Sequence, residues 1–340
     1  MDGPNSSNLE ARPISERAFQ IIRVGERAFE LELWIYGDTL SDRQPLVILH
    51  SIEFAVPPNQ SFCEQMWDND LQVIFIRRAG YGRSSPIPTA LLTKHTVTSG
   101  ATAAAEAAIV RQCFSKLCLE DIILLSMGSA NPMVYRLVHL APEIRFTFFV
   151  NPMFNQEIWQ VFSPAWFQTM LKQIVTSRSG LHVAHKGMQL LLRRDPVAFY
   201  KHIFEKNQDD LGYVSEHAED YEEAGTLSLE TSASQLYYDT IMCLSHDPTL
   251  KDGLFRNIHS AILIGRDSHE HWRRQMELEA ARVGLPIIYA PAGDLLCAYN
   301  SPDTLLEAIS TQSRTTCVEE QKYALSKLSE NPKLRSARAK

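Results

Sequence analysis

The side chains of this 340-residue chain best suited to metal binding or nucleophilic chemistry are its eleven histidines and six cysteines. The histidines offer no HExxH pair, so no metal set is expected. Cys63, Cys113, Cys118, Cys243, Cys297 and Cys317 lie far apart with no CxxC. That usage reads as reduced thiols of a cytoplasmic protein, neither a disulfide framework nor a zinc site. Gly80 and Gly82 make no dinucleotide fingerprint, because no GxGxxG opens a helix, and no cofactor is expected. What remains is hydroxyl and carboxylate chemistry. Ser126-Met127-Gly128-Ser129-Ala130 sets small residues on either side of a central glycine, the residue best suited to a positive φ. Asp267 and Asp294 each follow a short apolar run.

Those runs must be strands. Phe19 to Val24 and Phe29 to Tyr36, split by Gly25-Glu26-Arg27, predict an antiparallel hairpin. Leu46 to His50, Leu71 to Ile76, Ile122 to Leu125, Arg145 to Val150, Ala261 to Ile264 and Pro286 to Ala290 are short and apolar, as parallel strands buried on both faces require. Helical segments alternate with them at Ala101 to Leu119, Asn131 to Leu140, His269 to Val283 and Pro302 to Ile309. The alternation predicts an α/β fold with a mostly parallel central sheet flanked by helices. Between Met153 and Asn257 the sequence reads as helices alone: Ile158 to Ile174, Leu181 to Arg193, and Pro196 to Lys206 with Asp195 as N-cap. Trp159, Phe162, Trp166, Phe167, Met170, Met188, Phe199 and Tyr200 recur there at helical spacing and read first as packing.

Composition narrows the function classes. The chain is 45% hydrophobic and carries 33 basic against 40 acidic residues, a net charge of -7. That balance gives no electrostatic case for nucleic acid or an anionic membrane. No stretch approaches the roughly 20 apolar residues of a membrane span, and Met1 to Glu16 lacks the apolar run of a signal peptide.

Four landmarks in order resemble the α/β-hydrolase family with a helical cap. LVILHSIE (Leu46 to Glu53) resembles the strand and loop that supply an oxyanion-hole amide. RRAGYGRS (Arg77 to Ser84) looks like the turn after the fourth strand. ILLSMGSANPMVYRLVHLAPE (Ile123 to Glu143) is similar to the strand, nucleophile elbow and following helix. ILIGRDS (Ile262 to Ser268) and YAPAGDL (Tyr289 to Leu295) match the strands where the family keeps its acid and its histidine. The resemblance implies an α/β-hydrolase core over residues 17–152 and 258–312 and a helical cap over 153–257. Outside it lie a disordered N-terminus (1–16) and a polar, basic tail (313–340).

The resemblance also implies where a triad would sit. Counting back from Pro142 puts Gly128 at the elbow vertex, with no side chain to act as nucleophile. The other register centres Ser126 but leaves Leu124 where a small residue is needed. Ser129 is then expected as helix N-cap and backbone oxyanion donor. Asp267 takes the place of the acid, or serves as a helix N-terminal Asp on the following helix. Asp294 takes the place of the general base, where its charge would repel that of Asp267. His50, Ser51 and Ile52 join Gly128 and Ser129 as the binding side, Ser51 replacing a glycine. Arg77 replaces an aspartate and is read as solvent-exposed. Two functions follow as expectations. One is a non-hydrolytic protein binding a small apolar molecule or a protein partner. The other is a divergent esterase, thioesterase or lactonase using Ser126 or Ser129.

Overall fold

In a computed structural model the apolar runs become one eight-stranded sheet. The structure describes residues 19–26, 29–37, 41–52, 54–88, 99–152, 169, 173, 177–244, 251–256 and 258–312. The expected disordered N-terminus, the tail from 313, the helix at 158–174 and the aromatic residues on it lie outside the described residues. The strands are β1 (Phe19–Glu26), β2 (Phe29–Tyr36), β3 (Gln44–Leu49), β4 (Leu71–Ile76), β5 (Ile122–Met127), β6 (Ile144–Val150), β7 (Ser260–Gly265) and β8 (Ile287–Ala290). Their order is β1-β2-β4-β3-β5-β6-β7-β8. The β1–β2 hairpin is antiparallel and lies antiparallel on β4, and β3 to β8 pair in parallel.

Parallel pairing needs a crossover between strands, and helices supply it. These are α1 (Gln60–Asp68), α2 (Ser99–Lys116), α3 (Asn131–Leu140) and α9 (Glu270–Val283); α10 (Cys297–Asn300) and a further helical stretch at 302–312 follow the last strand. Between β6 and β7 the described residues hold no strand, only α4 (Arg178–Arg194), α5 (Pro196–Phe204), α6 (Gln208–Glu216), α7 (Ala218–Ser228) and α8 (Ala233–Leu244). Asp195 caps α5 as its sequence predicts, its carboxylate accepting from the Ala198 N–H at 2.8 Å.

Strand alternation sorts the sheet residues into two cores. Leu33, Val47, Leu49, Ile74, Leu124 and Ile262 face α2, α3 and α9 through Phe114, Met133, Leu137 and Met276. Leu46, Ile48, Val73, Leu125, Phe148 and Leu263 face α1 and the β6–β7 helices through Phe62, Met66, Tyr200, Phe204 and Tyr221. Phe199 and Met188 pack against this second core. All six sheet residues on each side are buried because helices cover both faces.

Candidate functional site

The ends of β3, β5, β7 and β8 bring the candidate residues to one edge of the sheet. Met127 is still extended (φ -107°, ψ 129°), and Gly128 then turns to φ +46° before a single 3₁₀ turn feeds α3. Gly128 thus holds the left-handed vertex, where a side chain would cost roughly 1–2 kcal/mol. Ser126 lies two residues earlier inside β5, paired with Leu49 and Phe149 and fully buried. Its hydroxyl has no hydrogen-bond partner.

Ser129 does not cap α3, whose N-cap is Ala130 with no side-chain bond. The expected capping role is corrected: β3 and β5 are neighbours, so Ser129 reaches the loop after β3 instead. Its Oγ accepts from the Ile52 N–H at 2.6 Å, and its own N–H donates to Ser51 Oγ at 3.1 Å. Ser51 Oγ also donates to Ser129 Oγ at 3.4 Å. The Ile52 and Ser129 amides, which the resemblance implies as oxyanion donors, are therefore each bonded to a hydroxyl of the chain itself.

His50 is fully buried beside this pair. One ring nitrogen, Nδ1, donates to the Ser51 carbonyl at 2.9 Å, and Nε2 accepts from the Arg78 N–H at 3.0 Å. Both nitrogens are used, and burial with the Arg78 charge holds its pKa well below the ordinary histidine value. Among the described residues neither Ser126 nor Ser129 hydrogen-bonds to an imidazole.

Beneath the serines sits a charged cluster. Arg78 donates from Nε and Nη2 to Glu106 at 3.0 and 2.8 Å and from Nη2 to Asp239 at 2.7 Å. Its Nη1 reaches Ser129 Oγ at 3.2 Å. Tyr81 and Gln235 also donate to Asp239. Arg78, Glu106 and Asp239 have no exposure. Burial raises the pKa of both carboxyls while Arg78 opposes it, and the two carboxylates lift Arg78 well above its ordinary value despite its own burial. Sequence reasoning missed Glu106 and Asp239. Glu106 did carry a signal: it is the only acidic residue of the alanine-rich α2.

Arg77 corrects a second expectation. It is 1% exposed rather than solvated, with Nε 3.1 Å from Glu32 Oε1 and its guanidinium over Trp34. Burial pulls its pKa down and Glu32 works against that.

At the far ends of β7 and β8 the two aspartates are not partners. Asp267 is exposed in a turn, three residues before α9 begins at Glu270, so it is not at that helix's N-terminus. Asp294 is half-buried and accepts from Ser268, the residue after Asp267. Burial raises the Asp294 pKa, opposed by the Ser268 bond and by His269. The backbone of the Asp294 loop is held from α6. Asp209 accepts from the Gly293 N–H at 3.0 Å, and Asp210 from the N–H groups of Asp294, Leu295 and Leu296 and from Asn300 Nδ2. This clamp joins the helices between β6 and β7 to the loop that bears the candidate base.

No family profile matches the chain, and no curated protein is similar to it in sequence. Solved structures are similar in shape. An esterase from Exiguobacterium antarcticum shares 12% identity at a TM-score of 0.53, over 87% of this chain and 98% of that one. A bromoperoxidase from Bacillus anthracis shares 14% at 0.54, over 87% and 99%. A thermophilic esterase from Thermogutta terrifontis shares 14% at 0.54, over 87% and 98%. The strand order, the glycine-centred turn after β5 and these likenesses converge on one architecture: the chain has the α/β-hydrolase fold.

Proposed function

We propose that this chain is a binding protein built on the α/β-hydrolase fold that does not perform serine-type hydrolysis. It would take a small apolar molecule or a protein partner, with residues 153–257 as a helical cap between the core segments 17–152 and 258–312. A cytoplasmic setting suits Cys63, Cys113, Cys118, Cys243 and Cys297, which form no disulfide.

The observation that carries this reading is the reciprocal closure of the Ile52 and Ser129 amides by the Ser129 and Ser51 hydroxyls. Acyl transfer depends on donors kept free for the oxyanion. Donors already bonded within the protein must first lose those bonds. The vertex glycine and the carboxylate of Asp294 support the same reading, since neither can act as hydroxyl nucleophile or neutral imidazole base.

The test is labelling by a fluorophosphonate probe and turnover of short and long p-nitrophenyl esters, with Ser126→Ala and Ser129→Ala in parallel. The expected result is no labelling and no turnover above buffer in any folded protein. Labelling and turnover that vanish in one alanine variant would overturn the proposal and identify the nucleophile of a divergent hydrolase.

A further inference from the structure

Three of the seven large apolar side chains most exposed among the described residues stand on α4: Val183 at 71%, Leu190 at 70% and Leu191 at 53%. They are not needed to seat the helix. Leu181, His185 and Leu192 are buried on the opposite side, with Met188 partly buried beside them. Those residues already make the inward stripe an amphipathic helix requires. Val183 and Leu190 are seven residues apart, on one outward face, and Gly187 between them has open space around it. Lys186, Arg193 and Arg194 are exposed along this face. The sequence RSGLHVAHKGMQLLLRR holds four basic residues, Arg178, Lys186, Arg193 and Arg194, and no acidic one, in a chain whose net charge is -7.

We propose that this outward face of α4 docks on an anionic phospholipid surface. An exposed apolar ridge flanked by lysine and arginine is what lets a helix lie in the headgroup layer. The leucines and valine enter the acyl boundary, and the long basic side chains reach back to the phosphates. A second copy of the chain is a poor occupant, because face-to-face packing would bring two acid-free basic helices together. The site is separate from the serine edge, so it stands whether or not any hydrolysis is found.

The experiment is co-sedimentation of the full chain with vesicles of phosphatidylcholine alone or mixed with phosphatidylserine, at low and high salt. Binding to the mixed vesicles is expected to exceed binding to the neutral ones by about tenfold or more and to weaken as salt rises. Lys186→Glu/Arg193→Glu and, separately, Leu190→Asp should each lower it by about tenfold or more. Leu278→Asp, at an exposed leucine of α9, should leave it unchanged. All substituted side chains are exposed, and far-UV circular dichroism checks that each variant is folded. A chain that stays in the supernatant with every vesicle overturns the proposal and would turn the face toward an acidic protein. Equal binding to neutral vesicles, unchanged binding by the Lys186/Arg193 or Leu190 variant, or equal loss with Leu278→Asp also overturns it.

Discussion

Replacing Arg78 with alanine is expected to cost about 3–5 kcal/mol of folding free energy, read from urea unfolding. Among the described residues the guanidinium is the one cation paired with Glu106 and Asp239, and all three side chains have no exposure. Its loss strands two carboxyls away from water. The cost comes from that stranding more than from the lost attraction, since a buried ion pair roughly breaks even against its own desolvation. The triple variant Arg78→Met/Glu106→Gln/Asp239→Asn should therefore recover much of the loss by removing the charges together. A triple variant as unstable as Arg78→Ala would show instead that the donors to Ser129, Asp239 and Glu106 carry the stability. Asp239 comes from α8 and Arg78 from the loop after β4, so the single substitution should also loosen the helices between β6 and β7 from the core.

Stability should also fall as pH rises from about 4 to about 6, through Asp210. Burial and the Asp294 charge push its carboxyl up to about 6, against the pull of backbone donors from Asp294, Leu295 and Leu296. Asp209 and Asn300 also meet this loop, and Tyr221 and Cys297, both held neutral at these pH values by burial, lie near the carboxyl. The unfolded chain releases the proton near 3.8 while the folded one keeps it to about 6. Between those values the folded state binds more protons, so stability declines with pH, by on the order of 3 kcal/mol, and levels above 6. Asp210→Asn has no such proton to hold. Urea unfolding at stepped pH should show the wild-type stability minus that of Asp210→Asn falling over this window. Parallel profiles would remove Asp210 as the source.

The α/β core was legible because parallel strands buried on both faces must be short and apolar, and β3 to β8 are. The turn after β5 was legible for a steric reason, the central glycine between small neighbours. Arg77 was not. An arginine reads as exposed unless a carboxylate waits for it inside, and Glu32 does so from β2, far away in the chain. Net charge is likewise a whole-chain average: it is acidic, and it does not report the acid-free basic helix α4.

The sequence by itself determined the strands, their helical crossovers, the helices after β6 and the glycine in the turn after β5, because each follows from local periodicity or local backbone sterics. Only the tertiary structure decided what the polar groups meet. Ser51 Oγ closes the Ser129 amide across 78 positions of sequence, Ser129 Oγ closes the Ile52 amide across 77, and Asp210 grips the Asp294 loop across 84. Hydrogen bonds between buried groups depend on which strand ends become neighbours, and spacing along a chain does not encode that.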